Sequence, residues 1–241
     1  MMVYSLRPPW AGTGPLLARI GAALLPPRCL LCGESGGPGL DLCGECRRRL
    51  PYAGPACPSC ALPLPAPATC GACLRRPPPL HAARATFVYA APLDRLLPRY
   101  KFHGDLAAGR LLAQSMAASL VACERPLALV PVPLHPGRLR RRGYDQALEL
   151  ARPLAAALDL PLRAGALRRV RATAAQSELD ARRRRRNLRG AFLADARQPL
   201  PAHVALVDDV MTTGATLHAA AAALRRAGVA RVDAWVCART P

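Results

Sequence analysis

The chain has 241 residues, half of them hydrophobic but only ten aromatic, and a formal net charge of +19. That length holds one α/β domain and a small appendage, with a core that Leu, Val and Ala must fill. No apolar run reaches the roughly 18 residues of a membrane span. Of the 34 basic residues 33 are arginine, and Lys101 is the single lysine; because GC-rich coding raises arginine by itself, the net charge is the firmer sign of an anionic partner.

The first element is the apolar stretch Gly14 to Leu25. Arg19 interrupts it and no small-residue cleavage site follows, so it reads as a short amphipathic helix rather than a leader, and a cytoplasmic protein is expected. Eight of the ten cysteines then fall in four C-x-x-C pairs: Cys29/Cys32, Cys43/Cys46, Cys57/Cys60 and Cys70/Cys73. Cys57 lies 28 residues after Cys29 and Cys70 lies 27 after Cys43, so 29–46 and 57–73 are two copies of one unit. A C-x-x-C turn aims two thiolates at one centre, and two such turns complete a tetrahedral S4 site. The predicted cofactor is therefore Zn²⁺ at two structural sites, pairing one with two and three with four, with a crossed arrangement as the alternative. This region is rich in Pro and Gly and poor in large apolar residues, so metal must supply its folding free energy, and chelation is expected to unfold 29–73 first. Cys123 and Cys237 sit in apolar surroundings and read as core. The ribbon reads as a structural knob or as a binding module.

Arg76-Pro-Pro-Pro79 reads as a stiff linker. Strands are predicted at 85–89, 127–132, 204–207 and 232–236. Helices are predicted at 106–121, 144–158 and 215–227, the last closed by Gly228. The alternation implies a parallel α/β sheet with ligands at the carboxyl ends of its strands. The division is thus an N-terminal helical segment at 1–28, a double ribbon and linker at 29–79, and an α/β domain at 80–241.

The most informative segment is Val204-Ala-Leu-Val-Asp-Asp-Val-Met-Thr-Thr-Gly-Ala-Thr-Leu217. A strand runs into the pair Asp208 and Asp209, and Thr212, Thr213, Gly214, Ala215 and Thr216 open the next helix. Free backbone N–H groups and the positive end of the helix dipole make such a turn a phosphate cradle. Carboxylates that seek hydroxyls beside that cradle suit a phosphorylated ribose. No G-x-x-x-x-G-K-[ST] or G-x-G-x-x-G motif competes with this reading. The segment resembles the phosphoribosyl-pyrophosphate (PRPP) motif of type I phosphoribosyltransferases.

Between Arg138 and Arg189 lie 15 Arg and five acids. The five consecutive residues Arg182, Arg183, Arg184, Arg185 and Arg186 fit a solvated helix face, a pyrophosphate contact or a nucleic-acid surface that neutralises phosphates. Few aromatics are interleaved, so no base-stacking platform is visible in the sequence.

Pro131 to Gln146, Thr173-Ala-Ala-Gln176 and Asn187 extend the likeness. From about residue 29 to its end the chain resembles the ComF/GntX family. The resemblance implies a type I phosphoribosyltransferase-like parallel-sheet domain with a small N-terminal double zinc ribbon. It implies that Asp208 and Asp209 face the ribose hydroxyls and a Mg²⁺ shell, positioning the sugar rather than attacking it. Thr212 to Thr216 would hold the 5-phosphate, and Arg138 and Arg142 would stand near pyrophosphate. Arg169, Arg171, Thr173 and Gln176 match the family's mobile loop. One departure is Asp145, where the family pattern has Asn. The implied setting is DNA uptake in natural competence, with single-stranded DNA, a helicase and a recombination mediator as partners. A salvage phosphoribosyltransferase for a free base, or a non-catalytic PRPP-sensing adaptor, are the alternatives.

Overall fold

The computed structural model describes residues 26–171, 188, 190–195 and 199–241. The segment 1–25 read as a helix, the predicted loop residues Thr173 and Gln176, and the arginine run 182–186 lie outside the described residues.

Two cysteine knuckles come first, each with a one-turn helix: α1 (Gly44–Arg49) in the first and α2 (Gly71–Arg75) in the second. The α/β part follows as β1 (Ala82–Val88), α3 (Leu93–His103), α4 (Leu106–Leu120), β2 (Ala128–Pro131), α5 (Pro136–Arg142) and α6 (Gln146–Leu158). A short hairpin of β3 (Leu167–Arg169) and β4 (Phe192–Ala194) precedes β5 (His203–Met211), α7 (Ala215–Arg226) and β6 (Arg231–Arg239). β1, β6, β5 and β2 form one four-stranded sheet in that order, with every neighbour parallel.

The sequence explains the arrangement. The central strands β5 and β6 read Val-Ala-Leu-Val and Val-Asp-Ala-Trp-Val, the near-continuous apolar runs of strands covered on both faces. One face carries Val204 and Leu206, packed with Leu217, Ala220 and Leu224 of α7. The other carries Ala205 and Val207, packed with Leu111 and Met116 of α4 and Leu150 and Leu154 of α6. Leu and Ala do most of this filling, as the shortage of aromatics requires; Trp235, Tyr100, Phe87 and Phe192 are the large buried exceptions. Caps set the helix starts: Asp105 accepts from the Ala108 N–H at 3.0 Å and Asp145 from the Leu148 N–H at 3.2 Å.

The predicted strands and helices are present with shifted ends. β1 begins three residues before its predicted start, and α3, α5 and the β3–β4 hairpin were not read from the sequence. β5 differs most. It was expected to stop at Val207, before the acids, but continues to Met211, because β6 keeps pairing with it through Asp208↔Val236 and Val210↔Ala238. Ladder hydrogen bonds from a neighbour outweigh the poor strand propensity of two aspartates.

The second knuckle is not a separate knob. Ala53 N–H donates to the Thr86 carbonyl at 2.9 Å, Val88 N–H to that of Pro51 at 2.8 Å and Ala83 N–H to that of Pro58 at 2.8 Å. The chain between the knuckles therefore runs along the free edge of β1.

Candidate functional site

The first four-cysteine cluster is Cys29, Cys32, Cys43 and Cys46, and the second is Cys57, Cys60, Cys70 and Cys73. Within each, all four sulfurs lie within 4.8 Å of one another. Pair one thus joins pair two and pair three joins pair four; the crossed arrangement is not formed. Cys32 and Cys43 sulfurs are 3.8 Å apart, and those of Cys60 and Cys70 3.7 Å. A tetrahedral ion with Zn–S bonds of about 2.3 Å separates its sulfurs by about 3.8 Å, so both donor sets fit zinc. Backbone N–H groups point at the sulfurs, Cys46 toward Cys43 and Cys70 toward Cys57, each at 3.4 Å. Burial opposes ionisation of Cys57, but the backbone N–H groups of Cys70, Ser59 and Cys60 outweigh it and bring its pKa down to about 6. Of the two remaining cysteines, Cys237 is core as predicted and Cys123 is half-buried on the rim of a cleft of about 550 Å³ between the second knuckle, β1 and α4.

A second constellation forms at the carboxyl end of β5. Alternation along the strand turns Asp208 toward the face that carries Leu206 and Asp209 toward the face that carries Val207. Each carboxylate has one oxygen on a backbone N–H: Asp208 Oδ1 accepts from the Asp209 N–H at 2.9 Å and Asp209 Oδ1 from the Val210 N–H at 2.7 Å. Asp209 Oδ2 lies 2.8 Å from the ammonium of Lys101 on α3, while Asp208 Oδ2 has no partner among the described residues. Burial, with the neighbouring charge of Asp209, pushes the Asp208 carboxyl well above its ordinary range, and Lys101 offsets only part of this.

Lys101 is the residue that sequence reasoning missed. It was visible as the single lysine of the chain, but no motif tied it to an aspartate 108 positions away. Tertiary packing makes the link. Tyr100 is fully buried, and its hydroxyl donates to the Gln146 carbonyl at 2.5 Å; the Tyr144 hydroxyl donates to the Tyr100 carbonyl. These bonds tie the end of α3 to the start of α6 and aim the next side chain at the acids.

After β5 the chain turns through Thr212 and Thr213, both exposed, into Gly214 at φ 72°. Here glycine is required twice. The left-handed backbone favours it, and a Cβ would meet Met211 Cε at 2.6 Å and His218 Nε2 at 2.9 Å. No side chain caps α7 at Gly214, and Thr213 Oγ1 reaches the Ala215 N–H only at 3.5 Å. The positive end of a 12-residue helix therefore opens beside the acids.

Positive charge surrounds the same strand end. Arg169, at the tip of β3, is nearly buried and feels the charges of Arg138 and Asp208; burial is the larger influence and pulls its pKa down. Arg138 on α5 is likewise pulled down by burial and by Arg142 and Arg141. Arg142 stands over the Phe102 ring, 5.4 Å from its centroid. Arg171 is described, immediately before the predicted loop residues that are not. Asp145 acts on its own neighbourhood. Its Oδ2 accepts from the Leu134 N–H at 2.9 Å while Oδ1 caps α6, so it clamps the loop after β2 to that helix. Asp208, Asp209, Thr212 to Thr216, Arg138 and Arg169 thus gather around one strand end, with carboxylates, a helix N-terminus and guanidinium groups side by side.

Two family models match parts of the chain. A family model for the double zinc ribbon domain matches residues 20–74, and one for the phosphoribosyl transferase domain matches 144–241. DNA utilization protein YhgH of Salmonella typhimurium is 39% identical over 209 residues, covering 83% of this chain and 90% of that protein. Competence protein F of Haemophilus influenzae is 36% identical over 222 residues, covering 88% of this chain and 96% of its own. The chain belongs to the ComF family. Competence protein ComFC of Bacillus subtilis is a more distant relative, 29% identical over 205 residues and covering 80% of this chain. The chain thus joins a phosphoribosyl transferase domain, with its parallel sheet, to a double zinc ribbon with two four-cysteine sites. Among the described residues no helix is long and apolar enough to cross a membrane.

Proposed function

We propose that this protein binds PRPP or a closely related ribose phosphate with Mg²⁺ at the end of β5, and handles single-stranded DNA next to that site, in the cytoplasm. The observation that carries the first half is one juxtaposition: two adjacent carboxylates, each anchored to a backbone N–H, beside the N-terminus of α7, whose N-cap is a glycine. The relatives named for competence and DNA utilization support the second half.

In this reading the Thr212–Thr216 turn receives the 5-phosphate on its backbone N–H groups, and Gly214 lets it approach. Asp208 and Asp209 accept hydrogen bonds from the ribose hydroxyls. The carboxylate oxygens are hard donors that fit Mg²⁺, which would neutralise pyrophosphate charge when bound. Lys101 holds Asp209 in place before the ligand arrives. Arg138 and Arg169 stand where a pyrophosphate would gather negative charge. Any transfer reaction would be displacement at the anomeric carbon, with that positive charge stabilising the departing pyrophosphate. The two ribbons would each hold one structural zinc.

Calorimetry with Mg²⁺ and PRPP tests the placement. Asp208→Asn with Asp209→Asn should weaken binding by about 1.5–3 kcal/mol for each charge-assisted bond lost, with the fold intact by circular dichroism. Equal affinity in wild type and double variant would remove the acids from the site.

A further inference from the structure

Three consecutive residues at the end of α3 point in three directions. Tyr100 is fully buried in the core, Lys101 reaches Asp209, and Phe102 turns outward with 65% of its surface exposed. The chain has three phenylalanines. Phe87 and Phe192 are buried to 1% or less, so Phe102 alone leaves its apolar ring in water. The ring is not bare on all sides, because the Arg142 guanidinium stands 5.4 Å from its centroid. Arg140 and Arg141 on the same helix are exposed, and none of these three arginines pairs with a carboxylate among the described residues. The aromatic and its guanidinium come from segments 40 residues apart, which is why the sequence showed no such platform.

We propose that Phe102, with Arg142 over it and Arg140 and Arg141 beside it, is a stacking platform for an unpaired nucleobase of a single-stranded nucleic acid. The inference rests on the single-strand reading above and assigns it a surface. The chemistry selects the occupant. A flat aromatic face takes any base without reading its identity, and the adjacent exposed guanidinium groups take the phosphates that accompany it. An acidic peptide would satisfy the arginines but leave the ring without a flat partner. A duplex would satisfy the arginines too, but its bases are stacked on one another and cannot reach the ring. Lys101 joins this platform to the acid pair through one peptide unit, so a strand lying on Phe102 passes beside the ribose-phosphate site.

Fluorescence anisotropy with a labelled 20-nucleotide oligo-dT, and with a duplex of equal length, tests the platform. Phe102→Ala should weaken single-strand binding about ten-fold, with the salt slope and the thermal melting point of the protein unchanged and duplex binding unaffected. Phe102→Tyr should restore affinity, because the stacking face returns. Arg140→Gln with Arg141→Gln should instead flatten the log–log salt slope by about 1.4. Wild-type single-strand binding with no loss in Phe102→Ala overturns the platform and leaves the single-strand reading standing. No binding of the oligonucleotide by wild type overturns both. Equal losses on duplex and single strand, or competition by hexaglutamate as effective as unlabelled oligo-dT, would show that the surface reads charge alone and overturn the platform as well.

Discussion

The two cysteine knuckles are copies of one repeat in sequence and unlike in their support. In the first, Cys32 is exposed and Cys43 and Cys46 are half-buried. Cys29, Leu42 and Leu50 are buried in the core under α3 and α4, with Leu30, Leu31 and Leu40 partly buried against it, and side chains of those helices add ties: Arg99 donates to the Leu30 carbonyl at 2.7 Å and Arg110 pairs with Asp41 at 2.6 Å. In the second, all four cysteines are buried and belong to the same apolar cluster as Val204, Leu206 and Leu224. Backbone bonds join its neighbourhood to β1, and Arg239 at the end of β6 donates to the Cys60 carbonyl at 3.0 Å and to the Met211 carbonyl at 3.2 Å. The same S4 chemistry therefore sits at the rim of one core cluster in the first copy and inside another in the second. On these contacts, chelation that unfolds 29–73 first should also loosen β1, where the second knuckle is bonded.

The largest effect should come from breaking one site at a time. Structural zinc in isolated fingers contributes about 10–16 kcal/mol of apparent folding free energy. Cys60→Ser should cost the whole domain its cooperative transition, and hydrogen exchange should accelerate through β1. Cys32→Ser should lose one zinc and accelerate exchange in 29–46 while β1 and β6 stay protected. Equal exchange in the two variants would erase the distinction between the knuckles.

Next in size is Arg239, the buried cation that ties the second knuckle to the end of β5. Burial pulls its pKa down, and the remaining Cys60 and Met211 carbonyls would lose a charged donor. Arg239→Met should lower stability in urea by about 3 kcal/mol, the scale of a broken buried charged network. A change within about 0.5 kcal/mol, the scatter of ordinary surface substitutions, would mean that the backbone bonds to β1 suffice without it.

The strand end reached through Met211 should behave oppositely. An acid whose folded pKa is raised binds more protons folded than unfolded, so its ionisation subtracts stability as pH rises from the unfolded value through the folded one. Asp208→Asn should therefore stabilise the protein at neutral pH by about 1 kcal/mol, the usual scale when a functional site is relaxed. The gain should vanish in denaturation curves below about pH 4. A variant less stable than wild type at neutral pH refutes the sign.

The smallest effect belongs to the first knuckle's outer tie. Arg110 and Asp41 are 45% and 20% exposed, so solvent screens the pair. Asp41→Asn should cost about 0.5 kcal/mol or less by thermal melting.

The sequence by itself determined what local patterns can carry. The C-x-x-C spacing encoded two S4 sites, the apolar runs encoded buried parallel strands, and the Thr-Thr-Gly-Ala-Thr turn encoded the start of α7 right after the acids. Each of these needs only residues near one another in the chain. Tertiary structure decided the rest. It paired Asp209 with Lys101, set Arg138 and Arg169 around the acids, laid Arg142 over Phe102 and extended β5 past its aspartates because β6 offered continued pairing. It also buried one four-cysteine site and left its twin at the rim of the core. The reason is the same in every case: burial and charge pairing depend on distances between segments far apart in sequence, and only packing of the sheet and its helices fixes those distances.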